Sequence, residues 1–325
     1  MAILKKQLLA RILSISKTGY LLNAMRSLCS NKIRILTYHR ILNVDDEGNY
    51  PFDIELISAS IDEFQWQMEY LKKHYSIITF SDVINLLNGD YKLPKNALII
   101  TFDDGYDDNY YNAYPILKDL EIPSTLFITS GYIGGERTFW YDWLAYTINM
   151  IEEDRLCIPE INVDMKLFSN TTQNRVVYQS VVNKLKTISN EKRVDILHSL
   201  EEKYGKYYDN ASKEIKMLSR PLEWQQIREM SENLVDIGSH SMLHPILIKL
   251  SDRELLTELC ESKSKIESEI SNKVNMIAYP NGQKGDFDNR VMDAVIDAGY
   301  VLGVNCIHGL NDSRTLDKLS INRLL

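Results

Sequence analysis

The chain has 325 residues and a net charge of −8, and its hydrophobic content of 44% is that of a globular protein. The negative balance leaves no basic surplus to neutralise phosphates, which argues against nucleic acid as a partner. Four cysteines without Cys-x-x-Cys spacing argue against a zinc–thiolate site or a disulfide framework, and they favour a reducing compartment.

The first thirty residues predict an amphipathic helix rather than a secretion signal. Arg11 and Lys17 interrupt the apolar run that a signal peptide needs, and a small-residue cleavage site is lacking. Apolar side chains recur at helical spacing and basic ones lie elsewhere on the wheel: Leu4, Leu8, Ile12 and Ile15, against Lys5, Lys6, Arg11 and Lys17. Such a helix either contacts an anionic membrane surface through residues 1–28 or packs onto the domain. We therefore expect a cytoplasmic protein, with the inner membrane face as one alternative.

From residue 31 onward, apolar runs and amphipathic stretches alternate, which predicts βα units around a parallel sheet. The predicted strands are 33–38, 76–80, 97–102, 124–129, 234–238, 274–279 and 300–305. The predicted helices are 61–73, 110–119, 252–271 and 289–298. About seven parallel strands are enough to close a barrel, so the sequence predicts an α/β barrel.

The stretch 151–220 interrupts this alternation. It has no clear strand pattern, and its segments 174–189 and 191–206 have the pattern of charged amphipathic helices. The interval between the predicted strands 124–129 and 234–238 is too long for one crossover, so we interpret it as a helical insertion into a domain spanning 31–325. A lid, a subunit contact and a solvated excursion all fit this pattern.

Two adjacent carboxylates, Asp103 and Asp104, follow the predicted strand 97–102. Like charges this close oppose each other's ionisation unless a cation or a shared proton relieves them. Catalytic groups collect at strand ends in α/β folds, so the two aspartates are candidate catalytic residues. The alternative interpretation is that they belong to a solvated Asp-Asp-Gly turn.

His240 and His244 follow the predicted strand 234–238 in the same way. Histidines four residues apart meet on one face if the segment between them takes a helical turn. With a nearby carboxylate they make a three-ligand set for a divalent metal. Taken alone the pair also fits two surface histidines around a turn, but together with the aspartate pair it predicts a metal site.

In this combination and order the motifs resemble those of the polysaccharide deacetylases with NodB homology, carbohydrate esterase family 4. The matching segments are 101–106, 240–245 and, as a variant of the third motif, 276–282. The resemblance runs from 35–40 to 321–324 and implies a distorted (β/α)7 barrel with the motifs at the carboxyl ends of its strands. It also implies a metal-dependent hydrolase that removes N-acetyl groups from amino sugars of a polysaccharide or glycan precursor. The mixed imidazole and carboxylate ligands favour Zn²⁺, and cobalt or nickel would fit the same ligands.

By the same resemblance, Asp104, His240 and His244 hold the metal and Asp103 is the general base. Asn281 occupies the place whose backbone N–H binds the developing oxyanion.

The family arginine that orients the catalytic aspartate is replaced here by Ala278. Either Arg323 supplies that charge from the C-terminal tail, or it is an exposed terminal arginine, which is the simpler interpretation.

The C-terminal tail also lacks the histidine that usually donates a proton in this family. The predicted first strand ends in His39, which resembles family members whose motifs are circularly permuted, with the last strand moved to the front. First and last strands are neighbours in a closed barrel. We therefore expect His39 to protonate the leaving amine, and a hydrogen bond within the strand-end loop is the alternative.

Tyr106 and Trp140 are assigned to substrate binding, since aromatic faces stack on sugar rings. For Trp140, which lies in the aromatic cluster 139–143, packing at a helix start is the more common explanation. Two other functions remain as alternatives. One is hydrolysis of another non-peptide C–N bond, in an N-formyl sugar or a cyclic amide, and the other is glycan binding on an inactive hydrolase fold.

Overall fold

The computed structural model describes residues 31–135 and 137–324, and its main sheet curves into a nearly closed barrel. The strands are β1 (Lys32–Tyr38), β2 (Arg40–Ile41), β3 (Ile57–Ala59), β4 (Ser76–Ile77), β5 (Ala97–Phe102), β6 (Ser124–Ile128), β7 (Arg155–Ile158), β8 (Val163–Lys166), β9 (Val235–Ser239), β10 (Met276–Ala278), β11 (Leu302–His308), β12 (Asn311–Asp312) and β13 (Ile321–Arg323). The α-helices are α1 (Ile61–His74), α2 (Phe80–Asn88), α3 (Tyr114–Asp119), α4 (Trp140–Met150), α5 (Thr171–Leu185), α6 (Asn190–Asp209), α7 (Lys213–Met217), α8 (Trp224–Ser231), α9 (Asp252–Ile270) and α10 (Asn289–Asp297).

Seven parallel strands run around the barrel in the order β1-β5-β6-β9-β10-β11-β13. The ring closes just beyond β13, where Leu324 lies between two residues of β1. The Thr37 N–H donates to the Leu324 carbonyl at 3.1 Å, and the Leu324 N–H donates to the Ile35 carbonyl at 2.7 Å. This confirms the predicted (β/α)7 barrel, and it makes the first and last strands neighbours.

Strand β5 shows why the barrel strands are continuous apolar runs: both of its faces are buried. Ile99 faces the barrel interior together with Ile35, Phe127 and Val304. Its neighbour Leu98 packs outward, in the layer between the sheet and the surrounding helices. Since the chain leaves each strand at the same end of the barrel, polar residues that follow the strands converge there.

Side-chain caps set several helix boundaries. Ser60 and Ser251 each accept a hydrogen bond from the backbone of the residue three positions on, in complete capping boxes that start α1 and α9. A third capping box, made by Thr79 and Asp82, starts α2. The predicted strand 76–80 is therefore wrong in its second half, because the chain turns into α2. The predicted helix 110–119 begins with a π-helical turn, Asn109–Ala113.

The segment 151–220 is not purely helical, and the expectation that it holds no strand is wrong. Strands β7 and β8 form an antiparallel hairpin that precedes α5. The hairpin, α5 and α6 pack with α4 around a hydrophobic core that runs from Leu144 to Tyr204 and is separate from the barrel core. A segment with its own buried core is not a solvated excursion. We call the segment 151–220 the insertion below.

Residues 1–30 lie outside the described residues, so the amphipathic helix predicted there, its membrane contact and the cytoplasmic location stay predictions. Within 31–135 and 137–324, no helix is both long enough and apolar enough to cross a bilayer.

Candidate active site

The carboxyl ends of the barrel strands open into a cavity of about 300 Å³. Seven of the eight residues assigned to the site from the sequence line it: His39, Asp103, Asp104, Trp140, His240, His244 and Asn281. Its far wall is made by α5 of the insertion, through Tyr178, Gln179 and Val182. Residues more than 200 positions apart in the chain therefore share one concave surface, which we call the catalytic cavity.

Asp104, His240 and His244 present three potential metal ligands at the base of this cavity. Their donor atoms all lie within 4.8 Å of one another. The Asp104 Oδ1 atom is 3.7 Å from Nε2 of His240 and 3.6 Å from Nε2 of His244. Two metal–ligand bonds of about 2.0–2.2 Å span such separations. In the part of the chain that the structure describes, this is the one cluster of its kind.

The segment from His240 to His244 is a loop, so it is not a helical turn that brings the two histidines together. Ser241 and His244 have left-handed backbones, with φ of 65° and 55°. The Ser241 hydroxyl accepts a hydrogen bond from the His244 N–H at 3.1 Å, and Glu258 on α9 accepts one from the Met242 N–H at 2.8 Å. The loop brings the two imidazole centroids within 4.8 Å, as a helical turn would have done.

The protonation states of the three residues fit a divalent metal. His240 donates a hydrogen bond from Nδ1 to the Ala278 carbonyl at 2.8 Å, which directs its Nε2 toward Asp104. Burial lowers the pKa of His240 to about 4 and holds the pKa of His244 well below its usual value. Both imidazoles are therefore neutral, which is the form that binds metals. Burial, and secondly the negative charge of Asp103, raise the pKa of Asp104. A bound cation would stabilise the ionised form of Asp104 and so lower that pKa.

Arg323 forms a bidentate ion pair with Asp103. Its two terminal nitrogens lie 2.7 Å from the two carboxylate oxygens, and its Nε donates to the Asn305 carbonyl at 2.9 Å. The guanidinium side chain is 0% exposed. The interpretation of Arg323 as an exposed terminal arginine is therefore wrong, and the alternative, that it replaces the charge missing at Ala278, is the one that this geometry supports.

The ion pair sets the charge of the predicted base. Burial acts to raise the pKa of Asp103, but the charge and hydrogen bonds of Arg323 hold that pKa below its ordinary range. Asp103 is thus an ionised carboxylate that can only accept, which is the state a general base requires.

His39 follows β1 and lies in the same cavity as the candidate metal ligands, at the same end of the barrel. Its backbone is held from two sides: its N–H donates to the Ser58 hydroxyl at 2.9 Å, and its carbonyl accepts from the Asn109 amide at 2.7 Å. Both bonds use backbone atoms and leave the ring facing the cavity. Burial and Arg323 lower the pKa of His39, and Asp103 raises it. Its role as proton donor stays a prediction.

Asn281 lies in a tight turn after β10, with φ of 60°. Gly282 follows with the same φ, and a Cβ atom there would meet the Cys306 nitrogen and the Tyr279 carbonyl at 2.9 Å. Only glycine fits this position. The turn brings Asn281 to the catalytic cavity, as its predicted role requires.

Tyr106 is not a substrate-binding residue, because its side chain is 0% exposed. Its hydroxyl donates to Asp142 on α4 at 2.7 Å, and the guanidinium of Arg40 lies 4.2 Å from the centre of its ring. Tyr106 thus fastens the strand-end loop to α4. Trp140, which begins α4, is half-buried and does line the catalytic cavity.

Two further residues of the cavity, Asp53 and Tyr141, were not assigned to the site from the sequence. Asp53 sits at a short 3₁₀ turn and accepts hydrogen bonds from the Glu55 N–H and from Gln179 of the insertion. Tyr141 packs edge-on against His244, with ring centroids 5.5 Å apart. Tyr141 belongs to the aromatic cluster 139–143 of the sequence. Which residues of that cluster face the catalytic cavity depends on the orientation of α4, and the sequence does not specify it.

Comparison with known proteins agrees with this geometry. Residues 90–303 match the family model described as polysaccharide deacetylase. A stretch of 122 residues is 34% identical to the poly-beta-1,6-N-acetyl-D-glucosamine N-deacetylase of Staphylococcus aureus (strain MSSA476), covering 35% of this chain and 42% of that protein. The chain thus matches less than half the length of this relative.

Solved structures share the fold. The Streptococcus pyogenes deacetylase PplD, in complex with acetate, is 21% identical with a TM-score of 0.57 over 90% of this chain and 91% of that one. IcaB from Ammonifex degensii is 18% identical with a TM-score of 0.56 over 91% of each chain. The family match covers more than half of the sequence, and the chain belongs to the polysaccharide deacetylase family.

Proposed function

We propose that this protein is a metal-dependent N-deacetylase that hydrolyses the acetamide of N-acetylglucosamine units in a glycan, with Zn²⁺ as its metal. One observation carries the proposal: a three-ligand cluster of neutral imidazoles and a carboxylate lies beside a second carboxylate that Arg323 keeps ionised. Binding alone would not need a buried, charge-fixed base next to a metal site. The inactive glycan-binding alternative is therefore disfavoured.

The chemistry of the donor set suits hydrolysis of an amide. When bound by Asp104, His240 and His244, a divalent ion supplies Lewis acidity, polarising the acetamide carbonyl and lowering the pKa of water. Asp103 accepts the proton that water loses as its oxygen attacks the carbonyl carbon. The backbone N–H of Asn281 binds the negative charge that develops on the acetamide oxygen.

The departing nitrogen needs a proton, which His39 supplies in this proposal. His39 must carry a proton on both ring nitrogens to act as an acid. Burial opposes that state, and the charge of Asp103 favours it. Cleavage of the C–N bond then releases acetate and a free amino sugar, and the proton on Asp103 returns to solvent or to His39.

The substrate class follows from the relatives' described activity and from the shape of the site. The Staphylococcus aureus relative is a poly-beta-1,6-N-acetyl-D-glucosamine N-deacetylase. A cavity of about 300 Å³ accommodates a sugar unit with its acetamide directed at the metal ligands, and half-buried Trp140 offers an aromatic face to the ring.

The test is acetate release from N-acetylglucosamine oligomers by the purified protein. The expected result is turnover that disappears after chelation and returns on adding Zn²⁺. Asp103→Asn is the matched variant, because it keeps the side-chain shape and removes the base. Equal activity of the metal-free and metal-loaded proteins would overturn the mechanism, and release of formate from N-formyl sugars in preference to acetate would replace the substrate.

A further inference from the structure

A second and larger cavity lies beside the catalytic one, between the barrel and the insertion. Its volume is about 720 Å³, more than twice the 300 Å³ of the catalytic cavity. Helices α4, α6 and α7 contribute most of its lining, and Thr138 and Pro221 contribute from the barrel side. We call this cavity the insertion groove. None of the residues assigned above to catalysis or to the metal lines it.

Trp140 connects the two cavities. It is the one residue that lines both of them, so the two cavities adjoin at this side chain. Trp143 lies one helical turn further along α4 and also lines the groove. Both indoles are half-buried, which leaves part of each ring accessible. Two tryptophans in series along one helix provide successive apolar surfaces on which flat ligand faces can stack.

The charges in the groove are balanced. Its lining holds four cationic and three anionic side chains. One of the cations, Arg220, is already paired with Asp107, with 2.8 Å between its Nε and the carboxylate. Three cations other than Arg220 and three anions remain in the lining, and this equal number favours the binding of neither a polyanion nor a polycation. They offer both donors and acceptors, which suits hydroxyl groups because each hydroxyl donates and accepts.

We propose that the insertion groove binds further sugar units of the same glycan chain whose acetylated unit occupies the catalytic cavity. Neutral, polyhydroxylated rings with apolar faces match the balanced charge and the paired tryptophans. A 720 Å³ groove that shares Trp140 with the catalytic cavity has room for more than one unit. The proposal rests on the proposed function, since it makes the insertion the element that selects long chains over short ones.

The test compares a hexamer and a dimer of N-acetylglucosamine as substrates. In Trp143→Ala we expect the KM for the hexamer to rise roughly three- to tenfold, from the loss of one stacking surface. The KM for the dimer and both kcat values should stay unchanged, because Trp143 does not line the catalytic cavity. Trp143→Phe should recover most of the hexamer affinity, and Trp66→Ala, which changes a tryptophan on α1 outside the groove, is the matched control.

A second variant tests the groove independently, in case Trp143→Ala fails to fold. Glu201 lines the groove and is exposed, so Glu201→Ala removes an acceptor without disturbing a core. It should raise the hexamer KM in the same direction. An unchanged hexamer KM in both variants, or an equal rise for hexamer and dimer, overturns the proposal.

Binding measured separately from turnover distinguishes the two proposals. Calorimetry should give tighter binding of hexamer than dimer to the wild-type protein, and Trp143→Ala should remove that difference. If the hexamer binds in this way but no acetate is released, the proposed function fails and the groove remains a glycan site. If acetate is released from both oligomers with the same KM, the groove proposal fails and the deacetylase stands.

Discussion

Replacing Arg323 with methionine tests the role of the tail arginine most directly. Methionine keeps much of the side-chain length and removes the charge. The ion pair with Asp103 has two contacts of 2.7 Å, and its side chains are 0% and 1% exposed. Removing one partner of so deeply buried a pair leaves an uncompensated charge, and this costs about 3–5 kcal/mol of unfolding free energy.

The exposed pair of Arg155 and Asp164 provides the control. Its Nε–Oδ1 distance is similar, 2.8 Å, but its side chains are 55% and 63% exposed. Because solvent screens this pair, Arg155→Met should cost much less unfolding free energy than Arg323→Met. Urea denaturation at neutral pH measures both variants. A loss below about 1 kcal/mol in Arg323→Met would refute the account of Asp103 as a charge that this arginine stabilises.

The pH dependence of the same experiment has a definite sign. The folded-state pKa of Asp103 lies below its unfolded value, so the ion pair contributes stability above the unfolded pKa and loses it as the pH falls through the folded pKa. Without Arg323, burial instead raises the pKa of Asp103. The difference in unfolding free energy between the wild-type protein and Arg323→Met should therefore become smaller as the pH falls through about 4. A difference that widens with acid would contradict this.

Three further substitutions test the site. His39→Ala should keep the metal content, measured by elemental analysis, and lower kcat on the order of a hundredfold or more; unchanged kcat would remove His39 as the acid. His244→Ala should abolish stoichiometric metal binding at micromolar protein, and retention of one metal per chain would disprove its place in the ligand set. Tyr106→Phe should leave the KM unchanged and lower the unfolding free energy by about 1–3 kcal/mol, since Asp142 loses its buried donor; a raised KM with unchanged stability would return Tyr106 to substrate binding.

The local patterns in the sequence were sufficient to predict much of the barrel and the three candidate metal ligands. Strand β5 is predicted at its observed bounds because a strand buried on both faces is a continuous apolar run. Asp104, His240 and His244 follow such strands, and a parallel barrel brings all strand ends to one rim. The hairpin β7–β8 was missed although its first strand alternates between exposed and buried residues, because four residues are too short for a firm pattern.

The order of the amino acids specifies which residues follow each strand, and therefore which chemical groups reach the rim of the barrel. Which of these groups come into contact depends on how the whole chain folds. Arg323 and Asp103 are 220 positions apart, and their contact exists because the barrel closes between β13 and β1. Tyr106 lies one residue past Gly105 in the first motif, yet its ring is buried against Arg40 rather than facing the cavity. Side-chain direction and long-range pairing arise from packing around the whole barrel, and no local sequence pattern encodes them.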